Sequence, residues 1–308
     1  MIGARRRQRG VAVVVAVLVV ALATSTASYV LWHQSLWIRQ VENLADRAQA
    51  DALARAAASW VAVILAADDP AIDHLGEAWA RRIPPFPAER AEVAGTIDDE
   101  QGKLNVNNLA RDGGASPQDL VAFQRLLAAI GLPAAVAEAV LDWLDADGEP
   151  TAPNGAEDQY YLARDPAHRA ANRAVLDLGE LARVKGLDAA AVARLAPFVT
   201  ALPEATPVNV NTAPPQVLRA IVPSLTPEGA ARIVEARSRQ PFASREAFLR
   251  ALPAPPSASI NAQIDVRSRY FSAAATVRLG RAVAGYRALF ERDDRGAPVL
   301  VTMSQVAL

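Results

Sequence analysis

The N-terminal stretch up to Trp32 constrains the fold more than any other part of the chain. Residues 11–32 read VAVVVAVLVVALATSTASYVLW, and no Asp, Glu, Lys or Arg occurs between Val11 and Ile38. About 20 apolar residues suffice for one helix to cross a bilayer. Arginines at positions 5, 6, 7 and 9 precede this run. Because basic residues beside a membrane helix favour the cytoplasmic side, the stretch predicts a membrane helix followed by an exported chain.

Three kinds of membrane segment fit this pattern. An ordinary secretory signal has a shorter apolar core, roughly 7–15 residues, before a small-residue cleavage site, although Ala23–Ser28 leaves such a cut open. A plain signal anchor is the second. The order of basic leader, Gly10 and unbroken apolar helix resembles the class III signal of type IV pilins and type II secretion pseudopilins. In that family a membrane peptidase cuts after the glycine, which implies Val11 as the mature N-terminus.

One position departs from the common pattern of that family. Most members have a glutamate five residues into the mature chain, and this chain has Val15 there. Absence of the glutamate is the mark of the K-type minor pseudopilins. The resemblance therefore implies that particular branch.

The amino-acid composition excludes several kinds of covalent link, metal site and catalytic motif. The 308 residues include no cysteine, three histidines and two methionines, and the formal net charge is −1. Without cysteine there is no disulfide framework and no thiolate metal site or nucleophile. Neither a G-x-S-x-G motif nor a Walker lysine loop is present. An exported chain of this composition is held by its core, its membrane helix or a metal ion.

Helical character continues past the predicted membrane span. Residues 34–67 contain no Gly or Pro and are rich in strong helix formers. Asp68-Asp69-Pro70 ends the pattern. A single helix from Val11 to Ala67 would be about 85 Å long at about 1.5 Å per residue. Half of it would lie in lipid and half would support a packed domain; two helices with a bend are the alternative.

Strand patterns flank a long helical region. Ile83–Pro87 is interpreted as a proline-rich break, and Glu92–Ile97 with Lys103–Val106 is predicted to form a hairpin. Near the C-terminus, alternating apolar residues predict strands at 270–279, 281–291 and 298–303. Strands before and after the helical region are predicted to share one sheet that packs on the N-terminal helix.

The helical region contains an internal repeat. Asn105-Val106-Asn107 precedes a helix pair predicted at 116–130 and 134–144, and Asn209-Val210-Asn211 precedes a pair at 214–221 and 228–237. A third pair is predicted at 177–184 and 189–198. These units resemble helix-hairpin-helix modules, which often bind DNA phosphates through helix N-termini. Residues 131–210 hold twelve acidic and six basic residues, so a structural role is favoured and no nucleic-acid partner is expected.

The residues with the clearest chemistry form an acidic run, LDWLDADGEP followed by GAEDQYYL. Calcium takes roughly six to eight oxygen ligands, and Asp-x-Asp-Gly resembles the start of a calcium loop. The full EF-hand pattern is absent, and zinc is disfavoured because there is no cysteine and no histidine nearer than His168. We therefore predict a structural Ca²⁺ site with these ligands: Asp142, Asp145, Asp147, Glu157 and Asp158. A solvated acidic loop and a pair of catalytic carboxylates are the alternatives.

Over essentially its whole length the chain resembles the K-type minor pseudopilin of type II secretion. The segments that carry the resemblance are RQRG before the apolar helix, VENLADRAQA, GKLNVNNL, the acidic run, PVNVNTAP and QPFASREAFL. The resemblance implies a non-enzymatic protein that acts in pseudopilus initiation or capping and in secretion across the outer membrane. Its partners would be the prepilin peptidase, inner-membrane lipid and the I- and J-type minor pseudopilins at the pseudopilus tip.

The same resemblance implies location and processing. The chain would be a single-pass inner-membrane protein of a Gram-negative bacterium, with a cytoplasmic N-terminus and a periplasmic C-terminal domain. The peptidase would cut between Gly10 and Val11, and the new N-terminus would be methylated.

The expected fold is α+β: a long N-terminal membrane and spine helix packs on an antiparallel pilin-like sheet, with a large, mostly α-helical domain inserted in the sheet. The predicted divisions are the leader 1–10, the spine helix 11–68, the first part of the sheet domain 69–107, the inserted domain 108–263 and the second part of the sheet domain 264–308.

Two other functions remain open at this point. A helix-hairpin-helix DNA receptor of the competence or type IV pilus kind, or a pilin-like adhesin, would share the membrane helix and the helical repeats. An exported hydrolase would use the acidic run for catalysis.

Overall fold

The computed structural model describes residues 5–88, 91–111, 113–254, 258–280, 282–293 and 295–306. Residues 1–4 of the predicted leader lie outside these ranges. In chain order, the helices are α1 Arg5–Ala66, α2 Pro117–Ala129, α3 Val136–Leu144, α4 Asp158–Tyr161, α5 Ala189–Leu195, α6 Pro215–Ile221, α7 Pro227–Arg239 and α8 Arg245–Ala251. The strands are β1 Ile83–Ala88, β2 Ala91–Asp99, β3 Leu104–Asn105, β4 Ala110–Arg111, β5 Gly114–Ala115, β6 Val199–Thr200, β7 Val208–Asn209, β8 Ile264–Asp265, β9 Tyr270–Leu279, β10 Ala282–Arg292 and β11 Pro298–Val306.

Helix α1 is one continuous element, as predicted. Its N-terminal part is long and apolar enough to cross a membrane, with a mean hydropathy of 2.4 and no residue of that window buried. Its C-terminal part buries one face at helical spacing, through Ala50, Ala54, Ala58, Val61 and Leu65. The N-terminal half of the helix is therefore exposed to solvent or lipid, and one face of the C-terminal half contacts the protein core.

That buried face packs on a five-stranded antiparallel sheet in the order β1-β2-β9-β10-β11. Strand β2 pairs with β9, for example Thr96 opposite Ala274, although these two residues are 178 positions apart in the chain. The prediction that strands before and after the helical region share one sheet is confirmed, and so is the α+β fold class.

Two predictions for residues 83–106 are wrong. The proline-rich segment is strand β1, at one edge of the sheet. Prolines are tolerated there because an edge strand has one row of backbone groups with no ladder partner. Residues 103–106 do not form a hairpin with β2; β3 pairs in parallel with β6 instead. The Asp99 carboxylate accepts a hydrogen bond from the Gln101 N–H at 2.8 Å and turns the chain away from the sheet.

The helical region between β2 and β9 has its own core, built from buried apolar side chains of α2, α3, α5, α6 and α7. The predicted pairs α2–α3 and α6–α7 are present. In the third pair the first member is a 3-10 helix, Leu178–Arg183, followed by α5.

The Asn-Val-Asn repeat has a clear structural meaning. The Asn105 side chain accepts from the Asn107 N–H, and Asn209 accepts in the same way from Asn211. Asn107 then bonds both the N–H and the C=O of Val175, as Asn211 does with Phe242. Each repeat thus uses a buried amide to bind a distant backbone segment, and this explains why two asparagines recur at this spacing.

A buried polar junction joins the helical region to the sheet. Asp99 Oδ2 accepts from the Thr212 hydroxyl at 2.6 Å, the Ser268 hydroxyl at 2.7 Å and the Asn209 amide at 3.0 Å. Nearby, Arg292 pairs with Asp73 and with Asp68, and its side chain is 1% exposed. Since buried polar groups are costly unless all are satisfied, this junction fixes how the helical region sits on the sheet.

Candidate metal site

The acidic run lies in the loop between α3 and α4. Helix α3 ends at Leu144, and the Asp145 N–H still donates to the Leu141 C=O at 2.9 Å. Beyond it, Pro150 and Pro153 prevent helix continuation. The chain then returns to Glu157, directly before α4. The loop therefore brings the acidic residues at its start and its end close together.

Three of the five predicted ligands meet in one place. One carboxylate oxygen from each of Asp145, Asp147 and Glu157 lies within 4.8 Å of the others. Asp145 and Glu157 are each 5% exposed, whereas Asp147 is exposed. Asp145 Oδ1 and both Glu157 oxygens are buried without a hydrogen-bond partner. Unpaired buried carboxylate oxygens are costly, and either a bound proton or a bound cation would lower this cost.

The surroundings of this cluster raise the pKa of two of its carboxyl groups. Burial, reinforced by the charges of Asp142, Asp145, Asp147 and Asp158, raises the pKa of Glu157 to about 7. Burial and the neighbouring charges of Asp147 and Asp142 raise the pKa of Asp145 to about 6. Both shifts arise chiefly because burial disfavours the charged form, and repulsion between the neighbouring carboxylates adds to them. A bound divalent cation would reverse this repulsion.

Asp142 lies beside the cluster and supports the loop. Its carboxylate accepts from the Thr151 N–H at 3.1 Å and from the Ala156 N–H at 2.6 Å, and it is fully buried. These bonds hold the two arms of the loop around the cluster. Direct coordination by Asp142 stays a prediction.

Asp158 makes contacts on the outer side of the loop. Its Oδ1 accepts from the Ala170 N–H at 3.1 Å, and its Oδ2 pairs with Arg169 at 3.1 Å. Both of its oxygens thus have a partner in the structure, and ligation by Asp158 also stays a prediction.

The structure adds one residue that sequence reasoning did not select. The Asn172 side chain donates through Nδ2 to the Asp147 C=O at 2.5 Å, and its Oδ1 is buried without a partner. Asn172 also has a positive φ of 46°. Its distance of 25 residues from Asp147 left no local signal in the sequence.

A second acidic group, Asp68, Asp73 and Glu77, has a different character. Arg292 already pairs with both aspartates. Glu77 accepts from the Trp79 indole N–H at 2.7 Å and the His74 backbone N–H at 2.9 Å. Because protein cations and donors satisfy it, this group is part of the buried junction.

Gly155 is predicted to be essential for closing the acidic loop. A Cβ at this position would lie 2.1 Å from Asp142 Oδ2 and 2.5 Å from the Thr151 N and O atoms. We expect Gly155→Ala to displace the Asp142 hydrogen bonds and to lower the free energy of unfolding by about 1–3 kcal/mol. Thermal unfolding of the full-length protein in detergent measures the effect.

Gly148 provides the control in the same loop. A Cβ there would meet no atom within 4 Å, so Gly148→Ala is expected to leave the melting temperature within about 1–2 °C. Equal losses in the two variants would contradict the assigned role of Gly155.

The predicted processing site lies at the other end of the molecule. Gly10 and Val11 fall within α1, near its first residue, and Val11 is 64% exposed. Cleavage between them stays a prediction.

The amino-acid sequence is similar to those of known proteins. Two profiles, both described as type II secretion system (T2SS), protein K, match residues 102–204 and 208–267. The type II secretion system protein K of Pseudomonas aeruginosa is 39% identical over 90% of this chain and 86% of its own length. The protein of the same name from Klebsiella pneumoniae is 34% identical over 94% of both chains. That from Aeromonas hydrophila is 31% identical over 96% of both.

The fold also has a solved counterpart. A chain in the crystal structure of the GspK-GspI-GspJ complex from the enterotoxigenic Escherichia coli Type 2 Secretion System is similar, with a TM-score of 0.76. The match covers 87% of this chain and all of that chain, at 23% sequence identity. At that identity the likeness concerns the fold.

Proposed function

The chain belongs to the type II secretion system protein K family, and from this premise we propose that it is the minor pseudopilin at the tip of the type II secretion pseudopilus. The observation that carries the proposal is the architecture. The first half of the spine helix α1 is an apolar span, and its second half packs on a pilin-like sheet. A helical body is inserted between β2 and β9. Such a body widens the top of the subunit, which suits a cap that initiates the filament.

The apolar half of α1 fits a single-pass inner-membrane protein. We propose the finer orientation from the flanking charges: the arginines before Gly10 stay cytoplasmic, and the sheet and helical body lie in the periplasm. A prepilin peptidase would then cut after Gly10, and the apolar helix would remain in inner-membrane lipid until assembly.

The proposed partners at the tip are the I- and J-type minor pseudopilins. The support is the fold shared with a chain from a complex that contains GspI and GspJ. The exposed apolar residues of α1, such as Leu22, Trp37 and Leu44, offer the surface that helix packing between subunits requires.

We propose that the acidic loop holds a structural Ca²⁺ ion. Asp145, Asp147 and Glu157 would supply carboxylate oxygens, with Asp142, Asp158 and the Asn172 amide as further candidates. The ion would neutralise carboxylates that are otherwise buried without partners and would tie the two arms of the loop together. The role is mechanical, and the protein is proposed to have no enzymatic activity.

The hairpin geometry disfavours the DNA-receptor alternative. In the α6–α7 pair the N-terminus of α7 is capped by Thr226, whose hydroxyl accepts from the Gly229 N–H at 3.1 Å. Pro227 supplies no N–H, and the exposed Glu228 brings a negative charge to the same turn. A phosphate at this helix N-terminus would find the Gly229 N–H already bonded to Thr226, and the Glu228 carboxylate would repel it.

Co-purification tests the proposed tip function. The full-length protein is expressed in membranes together with the I- and J-type pseudopilins of the same system, and a C-terminally tagged copy is isolated. A stoichiometric three-subunit complex is expected, and deletion of the gene from the host should stop export of type II substrates. Isolation of the tagged chain without either subunit, together with undiminished secretion in the deletion strain, would contradict the proposal.

Calcium binding is predicted to weaken as the pH falls through 7 to 6. The pKa of Glu157 is raised to about 7 and that of Asp145 to about 6, so protons compete with the ion in that window. Without calcium the sign is opposite. A carboxyl with a raised folded-state pKa contributes stability at low pH, and this is lost as the pH rises toward 7. Melting curves at pH 5.5 and 8.0, each with calcium and with chelator, measure both trends; a calcium effect equal at the two pH values would contradict the prediction.

A further inference from the structure

The connection between α3 and the next helix pair is long and has little regular structure. Residues 145–177, all of which the structure describes, contain one helix, the four-residue α4, and no strand. Connections of this length are uncommon in compact domains and usually have a function. We call residues 163–174, which follow α4, the strap. At its end the Asn107 side chain bonds the Val175 N–H at 2.9 Å and the Val175 C=O at 3.0 Å.

Two hydrogen bonds fasten the strap to the acidic loop. The Asn172 Nδ2 donates to the Asp147 C=O at 2.5 Å. The Ala170 N–H donates to the Asp158 Oδ1 at 3.1 Å. Asp147 lies in the first arm of the loop, and Asp158 follows directly after the second arm. The strap therefore contacts both ends of the acidic run.

Buried polar atoms without a partner are concentrated in the same region. Eight buried side-chain nitrogen and oxygen atoms of the described residues have no hydrogen-bond partner, and six of them belong to α3, the acidic loop or the strap. These six are Trp143 Nε1, Asp145 Oδ1, Glu157 Oε1, Glu157 Oε2, His168 Nε2 and Asn172 Oδ1. Such atoms are costly and rare in folded proteins. Because two of the six are in the strap, a species that satisfies them would contact the strap as well as the loop.

Asn172 is the strap residue whose chemistry matches the acidic cluster. Amide carbonyl oxygens bind calcium together with carboxylate oxygens, and the Asn172 Oδ1 is a buried oxygen of this kind. The other end of the same amide is bonded to Asp147, which supplies one of the three clustered carboxylates. The backbone of Asn172 has a φ of 46°, in the left-handed region that asparagine enters more readily than most residues.

We propose that calcium fastens the strap to the acidic loop, with the Asn172 Oδ1 as the ligand that the strap supplies. This inference rests on the proposed calcium site and extends it from the loop to the whole connection between α3 and Leu178. Because Asn107 holds the strap at Val175, the ion would tie the α2–α3 pair to the pair formed by the 3-10 helix and α5. Without the ion, two hydrogen bonds alone hold the strap on the loop.

Hydrogen exchange of the full-length protein in detergent, followed by mass spectrometry, tests this role of the strap. If the strap opens only after the ion leaves, calcium at about a hundredfold excess over its dissociation constant lowers the open population by about a hundredfold. Exchange of a protected amide follows that population. We therefore expect peptides covering residues 164–174, which include the bonded Ala170 N–H, to exchange at least about tenfold more slowly with calcium than with chelator.

Two glycine variants separate the amide of Asn172 from the flexibility of the chain. Asn172→Gly removes the amide, and glycine adopts a positive φ without strain. Ala174→Gly, at an exposed residue of the same strap, adds flexibility but removes no polar group. At saturating calcium, the slowing relative to chelator should persist in Ala174→Gly and fall below about twofold in Asn172→Gly. The calcium-dependent rise in melting temperature should persist in both, because Asp145, Asp147 and Glu157 remain.

The outcomes distinguish this inference from the proposed metal site. If calcium raises the wild-type melting temperature but leaves exchange of the strap unchanged, the strap is not fastened by the ion and the metal site stands. Slowing that is as large in Asn172→Gly as in Ala174→Gly would likewise overturn the role of Asn172. If calcium changes neither the melting temperature nor the exchange of the wild type, the metal site fails and the inference fails with it.

Discussion

Replacing Arg292 by leucine is expected to destabilise the protein by about 3–5 kcal/mol, because a buried charge would lose its partner. Arg292 is almost fully buried and pairs with Asp73, which is 0% exposed, and with Asp68 at 2.9 Å. It also donates to the Ser268 C=O at 3.2 Å. The variant therefore removes the cation from the junction between the sheet and the helical body.

The expected readout is a fall of about 10 °C or more in the melting temperature of the full-length protein in detergent. Burial raises the pKa of Asp73 to about 7 even with Arg292 in place, and loss of the guanidinium should raise it further. Folding of the variant then takes up a proton at Asp73, so lowering the pH is expected to recover part of the loss.

Arg269→Leu is the matched control for this prediction. Arg269 also pairs with two carboxylates, Glu204 and Glu291, but its side chain is 47% exposed. Exposed ion pairs contribute little, typically below about 1 kcal/mol. A loss in the Arg269 variant as large as in the Arg292 variant would show that burial of the pair is not what matters.

Glu157→Gln is expected to abolish stabilisation by calcium. In the wild type, calcium at about a hundredfold excess over its dissociation constant should add about 2.7 kcal/mol. For a folded part of this size, that corresponds to a rise of about 5–10 °C in melting temperature. The glutamine keeps the shape of the side chain but removes the charge from the centre of the cluster, so the calcium-dependent rise should disappear.

The ion-free behaviour of the same variant separates a ligand from a structural residue. Neither Glu157 oxygen has a hydrogen-bond partner, so the substitution breaks no hydrogen bond. Removing the charge of Glu157 also relieves its repulsion from Asp145 and Asp147. In chelator, Glu157→Gln should be at least as stable as the wild type. Glu149→Gln, an exposed acid in the same loop, should retain the calcium response. A calcium response that survives in Glu157→Gln would contradict the site.

Local patterns in the sequence predicted the elements that depend on them. The continuous spine helix followed from the absence of Gly and Pro over residues 34–67, and the three C-terminal strands followed from alternation. The α2–α3 and α6–α7 pairs followed from helix signals around Gly and Pro turns. In each case the residues that define the element are neighbours in the chain, which is why the sequence was sufficient.

Long-range pairing was harder to predict. The segment Ile83–Ala88 looked like a break because of its prolines, and only its position at the sheet edge makes it a strand. Residues 103–106 carried strand-like residues, but their partner is β6, nearly a hundred residues away. In short strands, pairing with a distant segment decides whether a strand forms more than the local residue preferences do.

At the candidate site, too, local features could be predicted from the sequence and long-range contacts could not. The sequence indicated an acidic calcium loop, but it could not distinguish Asp145, whose Oδ1 is left unpaired, from Asp142, whose oxygens bind the loop backbone. Asn172 was missed because its approach to Asp147 depends on the path of the chain after α4. Burial and hydrogen-bond partners, which are tertiary properties, make these distinctions.

A pseudopilus subunit of this kind requires α1 to be a filament spine released from a leader peptide. Mass spectrometry of the mature N-terminus, on protein isolated from membranes of a bacterium with an intact type II secretion system, tests this most directly. We expect the chain to begin at Val11, with a methylated amino group. An intact Met1, or a start near Ser28, would contradict the spine and, with it, the assignment of this subunit to the pseudopilus.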